Sequence, residues 1–345
     1  MKAVRFYAPG DVRVEEIQIP DCVPGEILVK VDACAVCGSD LKTFRVGNPR
    51  MKPPITMGHE FTGIIERIPE RISGFEKGDR IVMATSISCG ECLYCRKGLT
   101  NLCINLAPMG FAYNGGMAEY VTIPQKAITN GHLLKVPEGI KAEYAVLAEP
   151  LSCAVNSACQ SRIGKGDFVL IMGGGPMAIL NALAAREFGA SKIFMTELSA
   201  PRLKQAGLFN IDRIINPSKE NVKKIILEET SGYGADVVIV AAPATAPQEE
   251  SLGLVRKQGT VCLFASLPKG KSSLNIDSRL IHYNEIHLTG SSDSTAKHVK
   301  RAVEMLSSSG FPAEKLVTHI LGLDKINDAF KLMERGDALR VVLKP

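Results

Sequence analysis

Four cysteines crowd the stretch CGECLYCRKGLTNLC at residues 89–103. Cys89, Cys92, Cys95 and Cys103 follow C-x2-C-x2-C-x7-C, which lets four thiolates converge tetrahedrally on one Zn²⁺. That arrangement leaves no open position, so the site it predicts is structural. The intervening Gly, Glu, Tyr, Arg, Lys and Asn are loop formers, which argues against four small side chains filling a core. Only Arg96 and Lys97 inside the loop could meet phosphates, too few for a zinc ribbon that grips nucleic acid.

A second donor set is dispersed. ACAVCGSDLKTF carries Cys37 and MGHEFTG carries His59 and Glu60: a soft, a borderline and a hard ligand on separate loops. Three protein ligands leave a fourth position for a substrate oxygen. Each residue also has an ordinary reading, His59 as a hydrogen-bonded structural histidine and Cys37 as a small buried residue. Ser39 follows a glycine, a commonplace turn position. Glu149 opens a helical stretch, where an acid suits the positive end of the helix dipole.

The stretch VLIMGGGPMA ends a buried strand and opens a helix, with Gly173, Gly175 and Ala178 in the places of G-x-G-x-x-[GA]. Gly173 permits the turn, Gly175 lets a pyrophosphate approach the backbone, and Ala178 allows close helix packing. Pro176 and Met177 lie at the helix start, whose N–H groups and dipole favour a diphosphate. The next strand, KIFMT, ends at Glu197, where a carboxylate accepts hydrogen bonds from both adenosine ribose hydroxyls and repels a 2′-phosphate. NAD is therefore expected over NADP, with Arg202 working against the discrimination; otherwise Glu197 is a solvated strand end.

These loops need elements to hold them. Residues 1 to about 148 carry short β-type runs such as EILVKVDA and DRIVMAT between Gly and Pro punctuation. From Gly166 the pattern changes to buried-type strands, DFVLIM, KIFMT, DRII, ADVVIVAA and GTVCLFA, alternating with helical PRLKQAGLF and KENVKKIILEE. The alternation predicts a parallel sheet wrapped by helices, with EIHLTG as a sixth strand. TAKHVKRAVEML then places Ala296, Val299, Ala302, Val303 and Leu306 on one helical stripe ahead of Gly310. At 345 residues two domains are expected, a nucleotide-type domain inserted into a β-rich one.

The bulk numbers exclude other classes. Hydrophobic residues at 46% and charged residues at 22% are ordinary for a globular chain. The net charge of +5 is scattered rather than blocked, so no polyanion stripe is present and nucleic acid is not an expected partner. The N-terminal MKAVRFYAPGDVRVEE has no uninterrupted apolar run, nor does any later stretch have the length of a membrane span. The reading is a cytoplasmic protein whose ten cysteines are ligands and core residues rather than disulfides. Cys22, Cys34, Cys153, Cys159 and Cys262 have no ligand spacing and are expected to pack.

Cys-Gly-Ser-Asp, Gly-His-Glu, the four-cysteine lobe, GGMAEY and AEPLSCA together resemble the zinc-dependent medium-chain dehydrogenases over nearly the whole chain. The Glu after the histidine, Glu149-Pro150 and the lobe most resemble the sorbitol and polyol dehydrogenases, with threonine 3-dehydrogenase as nearest rival. The resemblance implies an α/β protein with a GroES-like β-rich catalytic domain, residues 1–148 and 291–345. Into it would be inserted a Rossmann domain, a doubly wound parallel sheet, at residues 149–290. It implies two zinc ions: a structural one in the lobe, and a catalytic one at Cys37, His59 and Glu60 with Glu149 as exchangeable fourth ligand. Ser39 would relay the alcohol proton. The implied reaction is NAD-dependent oxidation of a secondary hydroxyl of a polyol, sugar or sugar phosphate to a ketone, by a homodimer or homotetramer. A threonine dehydrogenase or a noncatalytic NAD-binding protein is the alternative.

The chain departs from its relatives in places. Lys42 stands where they often carry a relay histidine, and an unperturbed lysine, with pKa about 10.4, is a poor relay at neutral pH. Pro69 replaces a usual glycine. GSSDSTAKH replaces the arginine and aromatics that polyol dehydrogenases commonly present to substrate. Its Ser292 and Asp293 suit either sugar hydroxyls or, more simply, an N-cap before the helical stripe. Phe111 and Tyr113 hold the family's pocket-wall loop position, whereas Lys42 is either a solvated loop charge, the simpler reading, or, with Arg45, a contact near the mouth for a cofactor or substrate phosphate.

Overall fold

The computed structural model describes residues 1–345. The chain divides into two compact units, residues 1–152 with 293–345, and residues 153–292. The first division falls inside the helix Ala148–Gln160, four residues beyond the expected border.

The first unit is built on a sheet whose strands run in the order Leu133–Lys135, Arg80–Met83, Glu60–Arg67, Ile27–Ala35, Arg340–Lys344, Val317–Gly322, with Tyr120–Ile123 also pairing with Ile27–Ala35. Ile27–Ala35 is the organising strand. Seven of its nine residues are buried, so both faces are covered and the run is apolar rather than alternating. At its C-terminal end Ala35 lies opposite Glu60 on one side and Val342 on the other. Cys37, two residues further on, therefore emerges at the sheet end where Glu60 begins its strand and Arg340 begins another. A smaller sheet, Asp11–Glu16, Lys2–Ala8 and Ile55–Thr56, closes the unit. Val4, Phe6, Ile27, Val29, Ile65, Ile81, Met83, Met109 and Met117 fill the core.

The second unit contains six strands in parallel register: Arg213–Ile215, Lys192–Thr196, Phe168–Met172, Ala235–Val240, Val255–Leu263 and His287–Gly290 across the sheet. In chain order this is 3-2-1-4-5-6, the doubly wound dinucleotide-binding topology with its switch point beside Phe168–Met172. That strand is buried at all five positions. Helices Pro176–Glu187, Ala200–Ala206 and Val222–Glu229 follow the first three strands.

The helix expected after the sixth strand spans Ala296–Leu306 and buries Val299, Ala302, Val303, Met305 and Leu306. It ends at Leu306 rather than running to Gly310. Its N-cap is Thr295, paired in a capping box with His298, so the capping reading of Ser292 and Asp293 is wrong. Asp293 instead adopts a left-handed backbone, φ 58°. Among the remaining cysteines Cys34 and Cys262 are buried, whereas Cys159 is exposed and does not pack as expected. No helix is long and apolar enough to cross a membrane.

Candidate metal centres and dinucleotide site

Cys37 is the N-cap of the helix Gly38–Val46. The cap works in reverse as well: the Cys37 backbone N–H donates to Asp40 Oδ2 at 2.9 Å, which fixes the thiol-bearing residue against the first helical turn. His59 sits just before the strand Glu60–Arg67, preceded by Gly58 at φ +95°. A Cβ on Gly58 would fall 2.6 Å from Cys34 Sγ and from Met117 Cγ, so only glycine lets the chain turn here under the core. Ligand atoms of Cys37, His59 and Glu60 all lie within 4.8 Å of one another.

The surroundings orient each donor. His59 Nδ1 faces Asp40 Oδ1 at 3.6 Å, and Asp40 is fully buried. At that separation neither atom completes a hydrogen bond, and both are buried. Burial opposes a charge on His59, but Asp40 and Cys37 outweigh it and raise its pKa well above the usual imidazole range. The other nitrogen, Nε2, lies 3.5 Å from Ser39 Oγ. Phe111 covers the ring, centroids 5.2 Å apart; Tyr113 packs nearby, half-buried against the core. Glu60 is 1% exposed, and both its oxygens accept from Arg340 Nη1 at 2.9 Å. A buried carboxylate survives only with such a partner.

Glu149 lies in the first turn of Ala148–Gln160. Its carboxylate comes within 4.8 Å of that of Asp293. Burial, helped by the charges of Glu60 and Asp293, pushes its pKa up to about 8. Lys42 is on the exposed face of its helix. Arg45 is drawn away to Glu334, at 2.7 Å, on the surface.

The four lobe cysteines converge as their spacing predicts, with sulfur atoms all within 4.8 Å. Cys92 and Cys95 sulfurs are 3.4 Å apart, those of Cys89 and Cys95 3.8 Å. Backbone N–H groups point at the sulfurs: Cys89 N to Cys103 Sγ at 3.1 Å, Asn105 N to Cys103 Sγ at 3.3 Å, Cys92 N to Cys89 Sγ at 3.4 Å. Backbone hydrogen bonds from Cys95 and Ile104 lower the Cys92 pKa to about 6, whereas burial raises that of Cys103 to about 11. The donors thus suit thiolates gathered on a cation. Buried His132 braces the lobe from behind, its Nε2 3.2 Å from Ser88 N, and Asn130 Nδ2 donates to Ser88 O at 2.7 Å.

In the second unit the glycine turn opens a cavity of about 340 Å³ lined by Gly173, Gly174, Gly175, Glu197, Arg202 and Ala242, among others. Gly173 has φ +115°, so the turn requires it. Gly175 is the N-cap of Pro176–Glu187, and a Cβ there would meet open space, as close approach of a ligand needs. Pro176, which lacks an N–H, and Met177 begin the helix. The unforeseen glycine is Gly174: a Cβ on it would come 2.8 Å from Glu197 Cβ. Glu197 Oε2 accepts from Gly174 N at 2.8 Å, and Oε1 accepts from Leu198 N and Ser199 N at 2.7 and 2.8 Å. Glu197 is 9% exposed and so is not a merely solvated strand end.

Two family profiles match, the alcohol dehydrogenase GroES-like domain over residues 23–138 and the zinc-binding dehydrogenase domain over residues 176–308. A sorbitol dehydrogenase of Halalkalibacterium halodurans is 32% identical over 98% of this chain and 97% of its own length. The chain belongs to the zinc-dependent medium-chain alcohol dehydrogenases. An L-threonine 3-dehydrogenase of Pyrococcus horikoshii is 33% identical, over 99% of this chain and 98% of its own. Among solved structures, a putative zinc-binding dehydrogenase from Sinorhizobium meliloti 1021 bound to NADP superposes with TM-score 0.92 at 30% identity, covering 100% of this chain and 99% of that one. Within this alcohol dehydrogenase, two site residues went unread in the sequence: Asp40 and Arg340. Asp40 had a local signal, its place three residues after Cys37. Arg340 had none, being 280 positions from Glu60.

Proposed function

We propose that this alcohol dehydrogenase oxidises a secondary hydroxyl of a polyol or sugar-type substrate to a ketone with NAD⁺, and holds two zinc ions per chain. The carrying observation is the convergence of Cys37, His59 and Glu60 beside Ser39, with Asp40 behind the imidazole. Those three donors would hold the catalytic zinc, with Glu149 as an exchangeable fourth ligand. Cys89, Cys92, Cys95 and Cys103 would hold the structural zinc. Zinc supplies a Lewis acid for the substrate oxygen, and the nicotinamide accepts the hydride.

The protein's own residues prepare that chemistry. Asp40 Oδ1 lies 3.6 Å behind His59 Nδ1 and would draw the ring proton to that side, leaving Nε2 for the ion. Arg340 balances the charge of Glu60, so the carboxylate stays in a place where burial alone would expel it. Phe111 packs on the imidazole and keeps water from that side. The Ser39 hydroxyl, 3.5 Å from His59 Nε2, would take the substrate proton. Asp40→Asn is expected to weaken zinc binding roughly 10- to 100-fold, read by competition with a chromophoric chelator. Unaltered affinity would mean that Asp40 does not orient the ligand.

For the cofactor, the buried carboxylate of Glu197 supports NAD over NADP, because a 2′-phosphate brought against it meets like charge. Glu197→Gln is expected to reduce the preference for NAD⁺ about tenfold in kcat/KM, the scale of one hydrogen bond to a charged group. A ratio that stays put would place discrimination elsewhere, Arg202 first. The reading as a whole is tested by following nicotinamide absorbance at 340 nm over a panel of butanediols, pentitols, hexitols and threonine, together with zinc analysis. Threonine requires a cation for its carboxylate, and the buried Arg340 is engaged by Glu60.

A further inference from the structure

The peptide unit that joins Ser88 to Cys89 is held at both of its polar ends. Its carbonyl oxygen accepts from Asn130 Nδ2 at 2.7 Å, and its N–H, that of Cys89, donates to Cys103 Sγ at 3.1 Å. A peptide unit is planar, so a side chain that fixes the direction of the carbonyl also fixes the direction of the N–H opposite it. Asn130 therefore aims a hydrogen-bond donor at a sulfur on the far side of the peptide. The fit is close. Gly90, at φ +85°, lies against the same amide, and a Cβ there would fall 2.6 Å from Asn130 Oδ1.

His132 fixes the group just before this peptide. Its Nδ1 lies 3.1 Å from Ala84 O, and a carbonyl oxygen only accepts, so the ring proton is on Nδ1. Nε2 is then the lone-pair nitrogen, and it accepts from Ser88 N at 3.2 Å, with Ser88 Oγ 2.9 Å away. Burial lowers the His132 pKa and so favours this neutral tautomer. Both side chains start from a fixed backbone: Ala84 N donates to His132 O at 2.9 Å, His132 N to Ala127 O at 2.8 Å, and Asn130 N to Lys126 O at 3.2 Å. Asn130 and His132, one residue apart across Gly131, thus clamp the carbonyl and the N–H of the fully buried Ser88.

We propose that Asn130 and His132 are positioning residues for the ion of the four-cysteine lobe: they orient the Ser88–Cys89 peptide so that its N–H donates to the Cys103 thiolate, and they set how firmly the lobe retains its cation. This rests on the reading that the lobe holds zinc, and it extends the set of residues on which retention depends from the four thiols to two side chains that ligate nothing. Hydrogen bonds to ligating atoms orient them and tune their hold on the metal, and loss of such a partner typically costs 10- to 100-fold in affinity.

The test uses the full-length chain as wild type, Asn130→Ala, His132→Ala and His132→Gln. Zinc release to a chromophoric chelator is measured on the zinc-loaded proteins, and ¹¹³Cd NMR on the cadmium-loaded ones, where an all-sulfur site resonates apart from a mixed-donor site. Both alanine variants are expected to hold one ion per chain about tenfold more weakly and to shift the all-sulfur resonance, with the second ion unaffected. His132→Gln, whose Oε1 can accept from Ser88 N as Nε2 does, restores most of both. A clamp that serves packing alone would lower the thermal midpoint while leaving the release rate and the resonance at their wild-type values, which overturns the proposal. Should the variants not fold, the Cys89 amide of zinc-loaded wild type decides: slow hydrogen exchange that accelerates when the lobe is stripped supports the proposal, and exchange as fast as that of an unprotected amide overturns it. A wild-type chain with no all-sulfur cadmium resonance defeats the reading of the lobe itself, and the proposal with it; a wild-type resonance that the variants leave unmoved defeats the proposal alone.

Discussion

Replacing His59 by Gln, or Cys37 by Ser, is expected to leave a folded protein that binds NADH and oxidises alcohol at least about a thousandfold more slowly. The Lewis acid contributes several kcal/mol to stabilising developing charge on the substrate oxygen, and each 1.36 kcal/mol is a factor of ten in rate. Arg340 stays paired with Glu60 when the ion is lost. Zinc content should fall by one equivalent per chain, because the two remaining donors no longer enclose the ion. The cavity lined by Gly173, Gly175 and Glu197 belongs to the other unit, so NADH fluorescence enhancement should persist. A variant that retains turnover within tenfold, or both zinc equivalents, removes Cys37 and His59 from the catalytic role.

The second large effect concerns the lobe. Cys103→Ser is expected to lower the melting temperature by about 10 °C or more and to release the other zinc equivalent. Structural zinc in small domains contributes on the order of 10 kcal/mol to folding. Even a fraction of that is decisive, since about 1 kcal/mol moves the midpoint of a domain of 150–250 residues by roughly 2–4 °C. Cys103 is the point of greatest dependence: it is buried, and its sulfur receives N–H groups from both Cys89 and Asn105, whose partners are lost together. The segments between the cysteines expose Leu93, Leu99 and Leu102, and Ile104 just past Cys103 is exposed too, so the lobe has little apolar core to fall back on. Differential scanning calorimetry with metal analysis checks this; an unchanged midpoint and two retained zinc ions would show that no ion holds the lobe.

The parts of this protein that were legible in its sequence share one property: their residues are close in the chain. Four cysteines within fifteen positions can converge only through the loops between them, and those loops are too short to do much else. The glycine turn was legible because a buried strand, a positive-φ glycine and a helix start follow one another directly, and the strand runs that build the parallel sheet are continuous apolar stretches. Glu197 was legible through a fixed interval, one strand on. Gly174 was not, since its constraint is the side chain of Glu197 rather than its own turn.

Composition, local spacing and hydrophobic period therefore determined the α/β class, the gathered thiolates and the nucleotide turn, while the grouping of Cys37 with His59 and Glu60 rested on the resemblance to the zinc-dependent dehydrogenases. Tertiary structure alone decided which charges meet. Strand order, set by packing across the whole sheet, brings Arg340 to Glu60 across 280 residues. A single left-handed residue turns Asp293 away from a helix start and toward Ser86, 207 positions earlier in the chain. Electrostatic partners of this kind depend on distance in space, which falls off within ångströms, whereas sequence records only separation along the chain, and the two are related only after the sheet has closed.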